Sequence, residues 1–155
     1  MQERTMRIII DADAAPSAIK EILFRASERL NAELILVANT PIRHPSSEII
    51  SMITVPNGPD EADDYIAEHA IEDDLVITAD IPLAHRVIMK GSAVITPRGD
   101  ILNRENIGER LAVRDMMDQL RSGGVETGGP PPFSNKDKAA FARSFEHAIA
   151  RMKKR

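Results

Sequence analysis

Short β-branched runs alternate with helical periods along the first two thirds of this chain, and that alternation limits the fold more than any other feature. Arg7-Ile8-Ile9-Ile10 stops at Asp11 and reads as a buried strand that ends in a carboxylate. From about Pro16 to Leu30, Ala18, Ile19, Ile22, Leu23, Ala26 and Leu30 recur at three- and four-residue spacing, which predicts a helix. Further strands are expected over Ala32–Ala38, Ile49–Val55, Leu75–Thr78 and Ala93–Ile95, with helices over Asp60–Ile71 and Ile81–Lys90 between them. Strands and helices alternating in this way imply parallel strands joined mainly by helical crossovers. The expected fold is a three-layer α/β domain with a mainly parallel central sheet of about five strands. Two C-terminal helices are expected over Ile107–Leu120 and Ser134–Met152, separated by the turn-rich stretch Ser122–Pro132. Ser134 and Asp137 have capping-box spacing.

The 155 residues, 43% of them hydrophobic, suit one domain over 1–155, with a core of about 6–121 and an extension over 122–155. Cysteine is absent, which removes thiol nucleophiles, disulfides and cysteine-ligated metals; a metal here must sit on oxygen or imidazole. With only 3% aromatic residues, there is little from which to build a stacking platform for bases or sugars. The apolar run before Asp11 is too short for a signal-peptide core or a membrane span, so a cytoplasmic protein with no membrane partner is expected.

Net charge hides an asymmetry. Residues 1–80 hold 16 acidic against 6 basic side chains, whereas residues 81–155 hold 8 against 14. One surface of such a chain can collect cations while another faces a polyanion.

Asp11 and Asp13 follow the first strand, Asp80 follows the fourth, and Asp60-Glu61-Ala62-Asp63-Asp64 follows the third. Ligands of open α/β sheets bind beyond the carboxyl ends of the strands, so these acids converge if strands one and four are neighbours. Clustered carboxylates repel unless a cation intervenes, and hard oxygen donors suit Mg²⁺ or Mn²⁺. Such a metal activates water and stabilises the charge of an in-line phosphoryl displacement, so phosphodiester hydrolysis is the natural reaction. Arg86, Lys90 and Arg98, close to Asp80 in sequence, are the candidate phosphate contacts.

Plainer roles compete for the same residues. Asp60, Asp80 and Asp13 each stand where a helix N-cap is expected, and such a cap is worth about 1 kcal/mol with no chemistry implied. Asp64 aligns with Glu68 toward solvent. Asp63 instead shares a helical face with Ile66, Ala67 and Ala70, where an acid needs a partner. Asp11 directly continues a buried strand and is the hardest to assign to capping. His44, His69, His85 and His147 have no metal-ligand spacing, Met116-Met117 reads as core or interface packing, and no phosphate-binding glycine loop follows any strand.

Taken together, Ile8-Ile9-Ile10-Asp11-Ala12-Asp13-Ala14-Ala15-Pro16, Gly58-Pro59-Asp60-Glu61-Ala62-Asp63-Asp64-Tyr65-Ile66 and Leu75-Val76-Ile77-Thr78-Ala79-Asp80-Ile81-Pro82-Leu83-Ala84 resemble the YaiI/YqxD family of uncharacterised bacterial proteins. Lys90-Gly91, Pro97-Arg98-Gly99, Gly128-Gly129-Pro130 and Pro132-Phe133-Ser134 extend the likeness from Met6 to about Ile149. Ala15 departs from it, standing where many members carry Cys. That family is similar in fold to PIN-like domains, metal-dependent nucleases with clustered acids at the carboxyl edge of a parallel sheet. The resemblance implies that Asp11, Asp63 and Asp80 are the catalytic, metal-holding acids, with Asp13 and Asp60 as further metal-site positions, and supplies no substrate.

The resulting expectation is a Mg²⁺- or Mn²⁺-dependent nuclease acting on RNA, with Arg86, Lys90 and Arg98 on the phosphates. A nucleic-acid-binding or regulatory PIN-like domain without catalysis is the alternative; a homo-oligomer is compatible with either. A phosphatase of the haloacid-dehalogenase type also places Asp-x-Asp after its first strand, but Ala15 replaces the Thr or Val that type carries two residues past the second Asp. Its later acidic pair follows a strand, whereas Glu72-Asp73-Asp74 precedes one.

Overall fold

The computed structural model describes residues 6–153; the sequence reading of Met1–Thr5 lies outside them. The expected alternation is present: β1 (Arg7–Asp11), α1 (Ser17–Leu30), β2 (Glu33–Ala38), β3 (Ile50–Thr54), α2 (Glu61–His69), β4 (Leu75–Ile77), α3 (Ile81–Met89) and β5 (Ala93–Ile95). These are followed by β6 (Ile101–Leu102), α4 (Ile107–Ser122) and α5 (Asn135–Lys153).

The strands form one six-stranded sheet in the order β3-β2-β1-β4-β5-β6. All neighbours run parallel except β5 and β6. The sixth strand is an addition to the five expected. It is two residues long, too short for any period, and is folded back on β5 by a turn in which Thr96 N donates to Asp100 O at 2.9 Å.

Period-two alternation divides the core into two layers. Ile8, Ile10, Leu34, Leu36, Leu75 and Ile77 face one way and pack with Ile19, Leu23 and Phe24 of α1 and with Phe141, Phe145 and Ile149 of α5. Ile9, Val37, Val76 and Val94 face the other way, against Ile66 and Ala67 of α2, Leu83, Val87 and Ile88 of α3, and Ile107 of α4. The arrangement is a three-layer α/β fold.

Close approach of α5 depends on Gly99, whose φ of +93° is favourable for glycine and whose missing Cβ would stand 2.7 Å from the Ala140 backbone. Ser144 Oγ donates to Gly99 O across the same contact. At the start of α5, Asp137 N donates to Ser134 Oγ and Ser134 N donates to Asp137 Oδ2, the reciprocal pair the spacing predicted. Beyond Ile107 no residue of α4 is buried, and Met116 is half exposed, which excludes the core role considered for it.

Candidate functional site: an acidic cluster at the sheet switch point

The strand order reverses at β1: α1 leads from β1 to β2 on one side, whereas β4, on the other side of β1, is reached only after β3 and α2. The crevice beyond the carboxyl ends of β1 and β4 is therefore the switch point where open α/β sheets bind ligands. β1 and β4 are paired from Ile8 to Ile10 against Leu75 to Ile77, so Asp11 and Thr78 extend neighbouring strands into it.

Thr78 ties the two strand ends together. Its buried hydroxyl donates to Asp11 Oδ2 at 3.1 Å and accepts from the backbone N–H of Asp80 at 3.0 Å. Asp80 Oδ1 in turn accepts from Leu83 N at 2.9 Å, so Asp80 does cap α3 as its position suggested. The site role and the cap are carried by different parts of one residue: the cap uses a single carboxylate oxygen.

Asp63 reaches the same crevice from the first turn of α2. Burial comes first in pushing its carboxyl up to about 7, followed by the neighbouring Asp80 carboxyl and the charges of Asp11 and Asp60. Asp11 is raised as well, first by burial and then by Asp80 and Asp13, against the lowering effect of the Thr78 hydroxyl.

Asp13 and Asp60 stand at the rim, both exposed. Asp13 does not cap α1: its Oδ2 accepts from Asn39 N at 2.7 Å, tying the β1–α1 connection to the end of β2, while Pro16 occupies the N-cap position without a side-chain bond. Nor does the Asp60 side chain cap α2, although the residue occupies the N-cap position. Both capping expectations are thereby corrected. None of Asp11, Asp13, Asp60, Asp63 and Asp80 forms an ion pair among the described residues.

The three basic candidates are held elsewhere in the fold. Arg86 pairs with exposed Asp64 at 2.8 Å. Lys90 Nζ donates to Ala67 O at 2.7 Å and Glu68 O at 3.3 Å, satisfying carbonyls at the end of α2. Arg98 pairs with Asp137 at 2.9 Å, donates to Pro131 O and lies over the Phe133 ring. Thr78, which organises the site, was not singled out from the sequence; its place between the last residue of β4 and Asp80 was the available signal.

With this geometry in view, comparison with known proteins gives a consistent answer. The family model described as "Uncharacterized BCR, YaiI/YqxD family" matches residues 9–151. This chain belongs to that family. A UPF0178 protein of Trichlorobacter lovleyi is 54% identical over 147 residues, covering 95% of this chain and 96% of the relative. One from Geobacter sulfurreducens is 50% identical over 151 residues, covering 97% and 100%. Another, from Bordetella petrii, is 52% identical over 144 residues, covering 93% and 96%. No solved structure matches the chain. Among the described residues no helix is long and apolar enough to cross a membrane.

A hard divalent cation fits the chemistry of the cluster in two respects: every donor is a carboxylate oxygen, and the crowded acids that raise Asp63 and Asp11 are offset by no ion pair among the described residues. As the side chains stand, no three His, Asp or Glu groups among the described residues are arranged to hold a metal ion. Burial and the neighbouring acids favour the protonated form of Asp63, so a cation that used its carboxylate would have to displace that proton.

Proposed function

We propose that this protein is a Mg²⁺- or Mn²⁺-dependent nuclease of PIN-like type that hydrolyses phosphodiester bonds of RNA in the cytoplasm. The observation that carries the reading is the meeting of Asp63 and Asp80, with Asp11 close enough to raise Asp63, at the β1/β4 switch point with no basic side chain to neutralise them. Acids crowded until burial and their neighbours raise Asp63 to about 7, in a crevice where this fold class binds ligands, are poorly explained by stability.

In this reading Asp11, Asp63 and Asp80 hold the cation, and Asp13 and Asp60 at the rim orient a water or a second ion. When bound, the metal supplies an activated water and stabilises charge on the departing oxygen. The remaining work belongs to the chain. Thr78 fixes the Asp11 carboxylate and, through the Asp80 N–H, holds the β4–α3 turn in register with it. Leu83 N holds Asp80 Oδ1 and so fixes the carboxylate that neighbours Asp63.

A nucleic-acid-binding or regulatory domain without catalysis is the second reading, and the lack of a ready three-ligand arrangement favours it. The two part in a cleavage assay on single-stranded and structured RNA, with Mg²⁺, Mn²⁺ or chelator, using wild type and Asp11→Asn. Metal-dependent cleavage that falls about 100-fold or more in Asp11→Asn is expected, since even groups that only orient metal ligands are worth 10- to 100-fold. Equal activity in the two proteins sinks the catalytic reading.

A further inference from the structure

Since Arg86, Lys90 and Arg98 are each engaged within the fold, a polyanionic substrate needs other cations. An open groove of about 850 Å³ runs between α1 and the loop that joins β2 to β3, and Lys20, Arg25, Arg43 and His44 line it. Its floor is apolar, formed by Phe24 and Ile42. Among the described residues, the side chains of Lys20, Arg25 and Arg43 take part in no hydrogen bond or ion pair; Glu21 and Glu28 share the α1 wall without pairing to them. These three cations are free in the half of the chain that carries 16 of the 24 acidic residues.

Both walls of the groove are joined by short chain connections to the segments that carry the acidic site. Ser17, its first lining residue, opens α1 immediately after the Asp11–Pro16 turn. The loop that forms the opposite wall begins at Asn39, whose N–H is held by Asp13 Oδ2 and whose side-chain amide donates to Pro56 O at 2.9 Å. That bond ties the start of the loop to the rim of the acidic cluster.

We propose that this groove binds a single-stranded phosphodiester backbone through Lys20, Arg25 and Arg43 and leads it to the acidic cluster, an inference whose second half rests on the nuclease reading. Recognition is by phosphate charge. Lys20 and Arg43, on facing walls, bracket the strand, and the near absence of aromatic residues leaves base stacking with a minor part. The acidic cluster repels the same strand unless its own charge is balanced by cations, so the groove has to hold the backbone by itself in the metal-free protein.

The test is fluorescence anisotropy of the full chain with labelled single-stranded RNA and single-stranded DNA of one sequence, in chelator so that no cleavage occurs, across a series of salt concentrations. Two phosphate contacts removed in Lys20→Glu/Arg43→Glu lower the magnitude of the salt slope, log K against log salt, by about 1.4, since single strands give about 0.7 per contact. A loss of affinity on the order of tenfold or more accompanies it, with a smaller loss in Lys20→Gln/Arg43→Gln. Lys136→Glu, at an exposed position in the first turn of α5 and outside the groove, keeps wild-type affinity. Tighter RNA binding assigns the strand as RNA and tighter DNA binding as DNA; both support the groove. Unchanged affinity and slope in the double variant, an equal loss in Lys136→Glu, or no binding by wild type at low salt overturns it. Binding that depends on the groove in a protein that cleaves nothing with metal present would sink the nuclease reading alone, whereas cleavage that survives the double reversal with binding unchanged would sink the groove alone.

Discussion

The same two strands, β1 and β4, carry a charged residue pair at each end, and the two ends are built in opposite ways. At the amino edge, Arg7 opens β1 and meets Asp74 just before β4 through two bonds, Nε to Oδ1 at 3.1 Å and Nη2 to Oδ2 at 2.8 Å. Ile71 N donates to the same carboxylate at 2.8 Å, and Arg7 also reaches His69 O. At the carboxyl edge, Asp11 closes β1 and receives only the Thr78 hydroxyl, with two further acids beside it and no cation. A fold that can neutralise one buried carboxylate with a bidentate arginine has left the other cluster unbalanced. Local rules broken in one place and obeyed in its mirror position mark where a fold carries function at the expense of stability.

The largest effect should come from removing the amino-edge cation. Arg7→Ala strands a carboxylate whose side chain is only 4% exposed, and breaking a buried pair in this manner costs about 3–5 kcal/mol, roughly 10 °C or more in Tm for a domain of this size. Asp11→Asn at the other end removes a charge that burial and two neighbours already disfavour, so in chelator it should melt at or above the wild-type temperature. Thermal unfolding of both variants checks the contrast. Losses of equal size would mean that the two ends do not differ in the way described.

Much of this was legible in the sequence, and the failures have a common physical form. β-branched runs and three- and four-residue periods are local, so β1 to β5 and the helices read through, as did the Ser134–Asp137 box and the Asp80 cap. Asp74 did not: the sequence marks it only as one of the acids that precede β4, and its partner lies 67 residues away. Arg86, Lys90 and Arg98 drew attention because they follow Asp80 in sequence, yet each is bound by a group that only the packed fold brings near. Lys20 and Arg43 went unnoticed for the complementary reason, because the groove they line is made from two segments that no local pattern connects. The acids were readable because the strand ends announce them; their charge balance was not.

A smaller effect separates the ends by pH. Asp63 is raised in the folded protein to about 7 from its ordinary value of 3.8, so between those values the folded chain holds a proton that the unfolded chain has released. Stability from this group is fully present below about pH 4 and is lost as pH rises through about 7. Asp63 is partly exposed, so solvent screens the size of the effect but leaves its sign. Urea midpoints in chelator at pH 5 and pH 8 should show wild type losing stability relative to Asp63→Asn at the higher pH. A difference that stays constant, or that favours wild type at pH 8, would contradict the upward shift of Asp63.

The smallest effect dissects Asp80, the one residue that obeys a local rule and breaks the electrostatic one together. Asp80→Ala removes the acceptor for Leu83 N at the start of α3 and should cost about 1 kcal/mol, the usual worth of an N-cap. Asp80→Asn keeps a side-chain oxygen for that N–H, because asparagine caps as well as aspartate, while it deletes the like charge facing Asp63. Its stability in chelator should therefore match or exceed wild type, and the pH dependence attributed to Asp63 should shrink. Denaturant unfolding of the three proteins at pH 8 orders them as Asn at or above Asp, with Ala below both. If Asn falls with Ala, the carboxylate charge itself stabilises the helix start, and the carboxyl edge is less frustrated than its contrast with Arg7 and Asp74 implies.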